Sequence, residues 1–280
     1  MKLHILVDNN TLIDRYFIGE PAVSYLIEEE EDLRILFDVG YSDIFLQNAK
    51  KMNQNLLHLD YLVLSHGHMD HTWGLEPLIR AYTEAAIENI PYKKPVVIAH
   101  PDTFLPKHMP GFPELGSIVS QETIANNFDL QLNKEPVWLN SRLVFLGEIE
   151  HHTSFEAQHP IGTICRGGRE EDDYLTEDSA LVYRASGGLV IITGCSHAGI
   201  CNIIEQARYI CQEDRILDII GGLHLLKPSP EQLQGTLDYL QVLQPKQVHA
   251  CHCTDLASKI ALSQVVKIEE IGVGTCLSYD

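Results

Sequence analysis

Short apolar runs alternate along the chain with longer segments in which apolar residues recur every three or four positions. The short runs predict buried strands, because each is only a few residues long and ends at turn residues. They lie at residues 3–7, 22–27, 33–37, 61–64, 96–99, 136–139, 142–146, 180–184, 189–193, 216–220 and 247–251. The longer segments predict helices at residues 44–52, 75–86, 200–211, 230–243 and 255–266. Interleaved strands and helices of this kind predict an α/β fold.

Histidines follow several of the predicted strands directly. They are His66, His197, His224 and His252. Polar groups that collect at strand ends build the clefts of α/β folds. A core histidine is the alternative for His197 and His224, because each follows an apolar strand and a glycine.

The densest group of ligand-type side chains lies in residues 65–71, Ser-His-Gly-His-Met-Asp-His. In an extended segment His66 and His68 point the same way, whereas Asp70 and His71 face a second point as the chain turns into a helix. Imidazole and carboxylate suit zinc, iron or manganese. Two such points predict a two-metal centre, with roughly 3.5–4 Å between the ions. A solvated polar loop is the alternative, which so dense a group of ligand types disfavours.

The composition is ordinary for a globular protein with a large core. The chain has 280 residues, of which 45% are hydrophobic and 21% charged, and we expect a single domain over 1–280. The formal net charge of −19 disfavours nonspecific nucleic-acid binding. A small anionic substrate stays compatible with this charge, since bound metal inverts the local field. The acidic run Glu28–Asp32 predicts a solvated hairpin tip.

The sequence predicts a cytoplasmic protein. The apolar stretch after Lys2 ends at Asp8, which is too short for a signal peptide, and no run is long enough to span a bilayer. The seven cysteines are an odd number, which favours reduced thiols in a cytosol over a disulfide framework. Oligomeric state is left open by the sequence.

Residues 65–71 resemble the His-x-His-x-Asp-His signature of the metallo-β-lactamase superfamily. Residues 193–199, 221–225 and 249–254 narrow the resemblance to its branch of dihydropterin-(ribofuranosyl)aminobenzene-5′-phosphate synthase-like proteins. The resemblance covers nearly the whole chain. It implies an αββα sandwich of two mixed β-sheets with helices on the outer faces and metals at one edge.

The resemblance also implies the metal ligands. They are His66, His68, Asp70, His71, His197 and His252. The expected cofactors are two divalent ions, zinc first, with manganese or iron as alternatives. Asp70 is in addition the predicted catalytic residue, because its carboxylate could orient the attacking water.

Four further residues are candidate ligands or substrate contacts. Cys195 stands where most members carry a bridging aspartate, so it is either a thiolate ligand or a small core residue. His224 is either a further ligand or a substrate contact. Asp38 either orients a ligand histidine or caps the following helix. His152 stands near the position where relatives of the branch carry a basic residue.

Two segments predict active-site loops, 101–117 and 147–175, because neither has a clear period. Within the first, Lys107 is either an anion contact or a solvated residue. Within the second, the arginines near residue 166 belong to a predicted mobile surface loop. Strand alternation predicts that Cys251 and Cys253 are packing residues on the face opposite His252.

The predicted function is metal-assisted hydrolysis of a small ester, phosphoester or phosphodiester, with a phosphorylated pterin-like compound as the first substrate class. A non-catalytic, metal-stabilised ligand-binding protein is the alternative. A redox role with iron would need a flavin partner domain, for which this chain has no room. Nucleic acids and membranes are not expected partners.

Overall fold

The computed structural model describes residues 1–29 and 32–280. The predicted acidic hairpin tip falls partly on residues 30 and 31, which lie outside the described residues. Contacts between Cα atoms divide the chain into two compact units. The first unit contains Met1–Asn133, Gly162–Glu171 and Gly272–Tyr279, and the second contains Lys134–Ile161, Asp172–Ile271 and Asp280. The expectation of one domain over the whole chain stays a prediction.

The secondary structure follows the apolar pattern closely. The strands are β1 (Lys2–Val7), β2 (Ser24–Glu28), β3 (Arg34–Phe37), β4 (Tyr61–Val63), β5 (Val96–Ala99), β6 (Lys107–His108), β7 (Asp129–Leu132), β8 (Val137–Trp138), β9 (Leu143–Phe145), β10 (Thr163–Arg166), β11 (Arg169–Asp172), β12 (Ala180–Ala185), β13 (Gly188–Thr193), β14 (Ile216–Gly222), β15 (Gln247–Cys251) and β16 (Cys276–Ser278). The helices are α1 (Ile44–Lys51), α2 (Met69–Thr72), α3 (Leu75–Ile87), α4 (Gln121–Asn127), α5 (Ile200–Cys211), α6 (Pro230–Leu243) and α7 (Leu256–Leu262).

The first unit is built on a mixed sheet with the strand order β16-β1-β2-β3-β4-β5-β7. Pairing is antiparallel from β16 to β3 and parallel from β3 to β7. Leu36 and Leu62 of this sheet are fully buried with Phe45 of α1 and Leu75 and Leu78 of α3. Because β4 is central and apolar, the residues that follow it begin from a rigid point of the sheet.

The second unit is built on a mixed sheet with the order β15-β14-β13-β12-β9-β8. Strands β13, β14 and β15 are parallel neighbours, so their carboxyl ends meet at one edge. Ile191 and Ile219 pack in one core with Ile203 and Ile204 of α5 and Leu240 of α6. This core fixes the three strand ends that lead into the predicted histidine turns.

Two helices begin at a residue whose side chain caps the first turn. Ser229 caps α6 by accepting a hydrogen bond from Gln232 N at 3.1 Å, and Asp255 caps α7 by accepting one from Ser258 N at 2.7 Å. Among the described residues, the structure contains no helix with the length and apolar character needed to cross a bilayer.

The prediction of a mobile loop around residue 166 is wrong, because β10 and β11 form a hairpin there. Gly167 and Gly168 turn the chain with φ of 56° and 80°. Strand β11 is exposed and charged, so it carries no apolar alternation from which it could be predicted. Arg166 binds Asp102 of the first predicted loop through its Nη2, at 2.8 Å, and so ties that loop to the hairpin.

The segment before this hairpin is anchored to the start of α5. The buried carboxylate of Glu156 accepts hydrogen bonds from Cys201 N at 3.0 Å and Asn202 N at 3.1 Å. Asn202 Oδ1 in turn accepts hydrogen bonds from His152 N and Thr153 N. Burial raises the pKa of Glu156, although the backbone donors of α5 oppose that shift. The first part of the predicted loop 147–175 is therefore a docked segment.

Replacement of Glu156 by Gln should change how stability depends on pH. The raised pKa means that the folded protein holds this proton more tightly than the unfolded chain does. The contribution of Glu156 to the free energy of unfolding therefore falls as pH rises above about 4, the ordinary pKa of a glutamic acid. Urea unfolding at a series of pH values should show the wild type losing stability relative to Glu156→Gln. The exposed Glu150→Gln is the control, and a difference that stays constant with pH contradicts the assignment.

Candidate metal centre

In the first unit, three histidines gather where β4 opens into α2. His68 has extended backbone, with φ of −67° and ψ of 154°, and α2 begins at the next residue. The ring centroid of His66 lies 4.7 Å from that of His68 and 4.1 Å from that of His71. All three side chains are almost fully buried. The sequence therefore placed this group correctly at the end of the strand.

The buried carboxylate of Asp38 holds this group of histidines in place through hydrogen bonds. Its Oδ1 accepts a hydrogen bond from Ser65 N at 2.7 Å, and its Oδ2 accepts one from Ser65 Oγ at 2.7 Å. The same Oδ2 lies 2.6 Å from Nδ1 of His71. A protonated Nδ1 leaves Nε2 with the lone pair that a metal needs. Of the two interpretations of Asp38, the contacts match the one in which it orients a histidine, and the residue that precedes α1 is Asp43.

Gly67 has no room for a side chain. A Cβ at this position would lie 2.3 Å from Thr103 O and 2.9 Å from Lys107 Cε. Lys107 is fully buried, so the interpretation of it as a solvated residue is wrong. Its aliphatic stem packs beside the backbone between His66 and His68, and a larger residue at 67 would push the two imidazoles out of place.

Asp70 is the most accessible member of this group. Its Oδ2 lies 3.7 Å from Nε2 of His71, and its side chain is 24% exposed. The carboxylate can therefore reach a ligand or a water molecule as well as its neighbouring imidazole.

In the second unit, the turns after β13, β14 and β15 share an unusual backbone. Ser196, His224 and His252 have φ of 63°, 51° and 49°, in the left-handed region that residues other than glycine seldom adopt. The rings of His197 and His224 lie 4.3 Å apart, and Nε2 of His252 lies 3.1 Å from Sγ of Cys195. The parallel strands thus bring together residues that are far apart in sequence.

Cys253 joins the same cluster, which contradicts its prediction as a packing residue on the far face. Its Sγ donates to the carbonyl of Cys195 and accepts from His224 N, both at 3.3 Å. The alternation of side-chain direction expected in a strand does not extend to Cys253, because β15 ends at Cys251 and His252, with left-handed backbone, turns the chain. Burial alone would raise the pKa of the Cys253 thiol, but contacts with Cys195, His224 and His252 hold the pKa well below its usual value.

Sequence reasoning missed the buried acids Glu177 and Asp178, which are separated from β12 by Ser179 alone. Oδ2 of Asp178 accepts a hydrogen bond from Ala198 N at 2.9 Å. Burial raises the pKa of Asp178 to about 8, and the neighbouring charge of Glu177 adds to that effect. The sequence signal that could have identified them is a pair of acids one residue before an apolar strand.

His152 lies on the surface. Its side chain is 53% exposed, and its Nε2 is 3.5 Å from a carboxylate oxygen of Glu150. Its role as a substrate contact stays a prediction.

The donor atoms of both clusters fit a divalent transition metal. The first unit supplies imidazole and carboxylate, and the second supplies imidazole and thiol groups. Imidazole suits zinc, iron and copper, whereas thiolates favour zinc and iron. The position at which the sequence differs from the general pattern, Cys195, is therefore chemically able to bind such an ion.

Comparisons with known proteins agree with this chemistry. A family model of the metallo-beta-lactamase superfamily matches residues 18–154. The 7,8-dihydropterin-6-methyl-4-(beta-D-ribofuranosyl)-aminobenzene-5'-phosphate synthase of Methanocaldococcus jannaschii is 29% identical over 100% of this chain and 97% of its own. The uncharacterized protein MJ0448 of the same organism is 30% identical over 94% of each chain.

A solved structure extends the similarity to the fold. It is Tm1679, described as a metal-dependent hydrolase of the beta-lactamase superfamily, and it matches with a TM-score of 0.83 and 27% identity over the whole of both chains. The prediction of an α/β protein with the metallo-β-lactamase fold and two large mixed sheets is thereby confirmed. A third sheet of three short strands, in the order β11-β10-β6, was not predicted.

Replacement of Gly67 by Ala should destabilise the protein by about 1–3 kcal/mol, because the added methyl group meets a backbone carbonyl. Urea unfolding measures this loss. Gly187→Ala is the matched control, since its Cβ would meet only the flexible end of Leu217 at 3.2 Å. Equal stability of the two variants contradicts the close approach of Thr103 to the motif.

Proposed function

Because the chain belongs to the metallo-β-lactamase superfamily, we propose that it is a metal-dependent hydrolase acting on a small anionic ester, phosphoester or phosphodiester. The observation that carries the proposal is the network of Asp38, Ser65 and His71. A buried carboxylate that orients an imidazole by Nδ1 is the arrangement of metal-binding histidines in proteins.

Two divalent ions, zinc first, are the proposed cofactors. His66 and His68 with His197 form one proposed ligand set, and Asp70 and His71 with His252 form the other. Cys195 is proposed to contribute its thiolate, because it stands where the resemblance expects a bridging aspartate. Family membership supports this assignment, as does the chemistry of the donors. A thiolate ligand requires reduced cysteines, which fits a protein of the cytosol.

A bound divalent ion lowers the pKa of water and stabilises negative charge that develops on the substrate. The chain itself supplies orientation. Asp38 holds the imidazole of His71, and Gly67 lets the loop approach closely enough to keep His66 and His68 in place. The partly exposed carboxylate of Asp70 accepts a hydrogen bond from the attacking water and so aims it.

The substrate is proposed to carry a negative charge. The formal net charge of −19 opposes anion binding overall, and bound cations would offset it locally. A phosphate ester joined to a heterocycle is the first compound class to test, since a full-length relative is named for a pterin-linked phosphate.

The same relative favours a second candidate, because its name is that of a synthase. In that case this chain would form, and not cleave, a dihydropterin-linked ribofuranosylaminobenzene phosphate. A screen of phosphodiesters, phosphomonoesters, lactones and thioesters, with zinc, manganese or iron supplied, tests hydrolysis directly. Turnover of none of these, together with metal-dependent joining of the aminobenzene phosphate to a dihydropterin that carries a leaving group on its 6-methyl carbon, and release of that group, would favour the synthase.

His68→Ala and Asp70→Ala should each lower metal content and turnover together, because both residues are proposed ligands. Elemental analysis of the purified variants, alongside rates on the best substrate of the screen, checks this. His58→Ala, outside both clusters, should leave metal content and turnover unchanged. Full turnover by a metal-free Asp70→Ala protein would refute metal-assisted hydrolysis.

Cys195→Ser should weaken metal binding more than Cys251→Ser, although both cysteines are buried. A serine hydroxyl stays protonated where a thiol ionises, so it is a poorer ligand for a transition metal. Cobalt titration followed by its absorption spectrum measures the affinity and reports a thiolate ligand as a charge-transfer band. A band of equal intensity in the Cys195→Ser protein would assign Cys195 to packing.

A further inference from the structure

Asp178 connects the start of β12 to the turn that carries His197. Its side chain is fully buried, and its Oδ2 accepts the hydrogen bond of Ala198 N at 2.9 Å. Ala198 directly follows His197, so this bond holds the backbone at the position of a proposed ligand. A buried backbone N–H without an acceptor is costly, and Asp178 removes that cost.

The turn that Asp178 holds is strained. Ser196 has φ of 63° and Gly199 has φ of 97°. A non-glycine residue stays in this region only when its surroundings hold it there. Ser196 Oγ donates to Gly222 O at 2.6 Å, and Gly199 N donates to Ser196 O at 3.0 Å. With these bonds, Asp178 fixes both sides of His197.

The geometry of His197 also sets that of its neighbour. The rings of His197 and His224 lie 4.3 Å apart, and the carboxyl of Asp178 is close enough to His224 to interact with it electrostatically. Nδ1 of His224 is buried and, among the residues that the structure describes, has no hydrogen-bond partner. A small shift of the turn would therefore displace two imidazoles together.

The first unit uses the same device. Asp38, which follows β3, accepts a hydrogen bond from the backbone N–H of Ser65, the residue before His66. In the same way Asp178, which precedes β12, accepts one from the backbone N–H of Ala198, the residue after His197. In each unit a fully buried carboxyl group holds the backbone next to a histidine of the centre.

We propose that Asp178 is a positioning residue of the metal centre, which keeps the turn of residues 195–198 in its strained conformation and thereby aims the imidazoles of His197 and His224. This inference rests on the proposed metal binding of the chain, but it does not depend on which reaction the centre catalyses.

The test is cobalt(II) titration of the full-length metal-free protein, followed by the absorption spectrum of the bound ion. Asp178→Leu keeps the branching at Cγ but removes the acceptor. It should bind cobalt about ten-fold or more weakly, the usual effect of losing an orienting partner, with an altered spectrum. Asp178→Asn keeps an acceptor for Ala198 N and should stay close to the wild type. If Asp178→Leu does not fold, Asp178→Ser, too short to reach Ala198 N, takes its place.

Asp218 supplies the matched control. It is fully buried in the same unit, on β14, and its Oδ1 lies 3.0 Å from Nδ1 of His249. Asp218→Leu therefore measures the general cost of removing a buried carboxylate. Urea unfolding of the metal-free variants shows how much of each effect is loss of fold.

Weaker cobalt binding and a changed spectrum in Asp178→Leu, with neither change in Asp218→Leu, support the proposal. Wild-type affinity and spectrum in Asp178→Leu or Asp178→Ser overturn it, as does an equal loss in both leucine variants. A wild type that binds cobalt but hydrolyses nothing refutes only the proposed reaction. A wild type that binds no metal refutes both proposals.

Discussion

The hydrogen bonds of Asp38 are the interaction on which the first histidine cluster depends. A carboxylate that is shielded from solvent needs strong hydrogen-bond donors. Ser65 supplies two hydrogen bonds to Asp38, and His71 supplies a third. Asp38 itself has φ of 55°, so the chain bends sharply at the end of β3 to bring the carboxylate to the loop after β4. Loss of the carboxylate would leave these donors buried without acceptors and the imidazole of His71 without a fixed orientation.

The second cluster is preorganised by backbone strain. Each of the parallel strands β13, β14 and β15 ends in a turn with a left-handed residue other than glycine. Such conformations are kept where the neighbouring packing determines them, and they recur at functional sites. The apolar core beneath the sheet provides that packing. Side-chain and backbone hydrogen bonds consequently hold Cys195, His224, His252 and Cys253 in contact.

The second unit offers sulfur as well as nitrogen donors. Sγ of Cys253 lies 3.3 Å from the carbonyl oxygen of Cys195, and its neighbours lower the pKa of the Cys253 thiol. Sulfur ligands shift metal preference toward zinc and iron and away from magnesium or calcium. The formal net charge of −19 opposes the approach of anions to the chain as a whole.

The sequence alone predicted most of the longer strands and helices, because hydrophobic period is a local property. It missed the short elements β6, β7, β16, α2 and α4. Helix α5 and strands β5 and β15 have the predicted bounds, and residues 65–71 identified the superfamily. Hairpin β10–β11 escaped prediction because an exposed, charged strand leaves no apolar alternation.

Tertiary structure decided which groups meet. Strand alternation placed Cys253 away from His252, and only the left-handed turn after β15 brings its thiol to Cys195. Asp178 contacts a residue 20 positions away, and Lys107 is buried against a glycine of the distant motif. Contacts of this kind depend on how strands pair and how loops pack, and a local pattern of residue types carries no record of either.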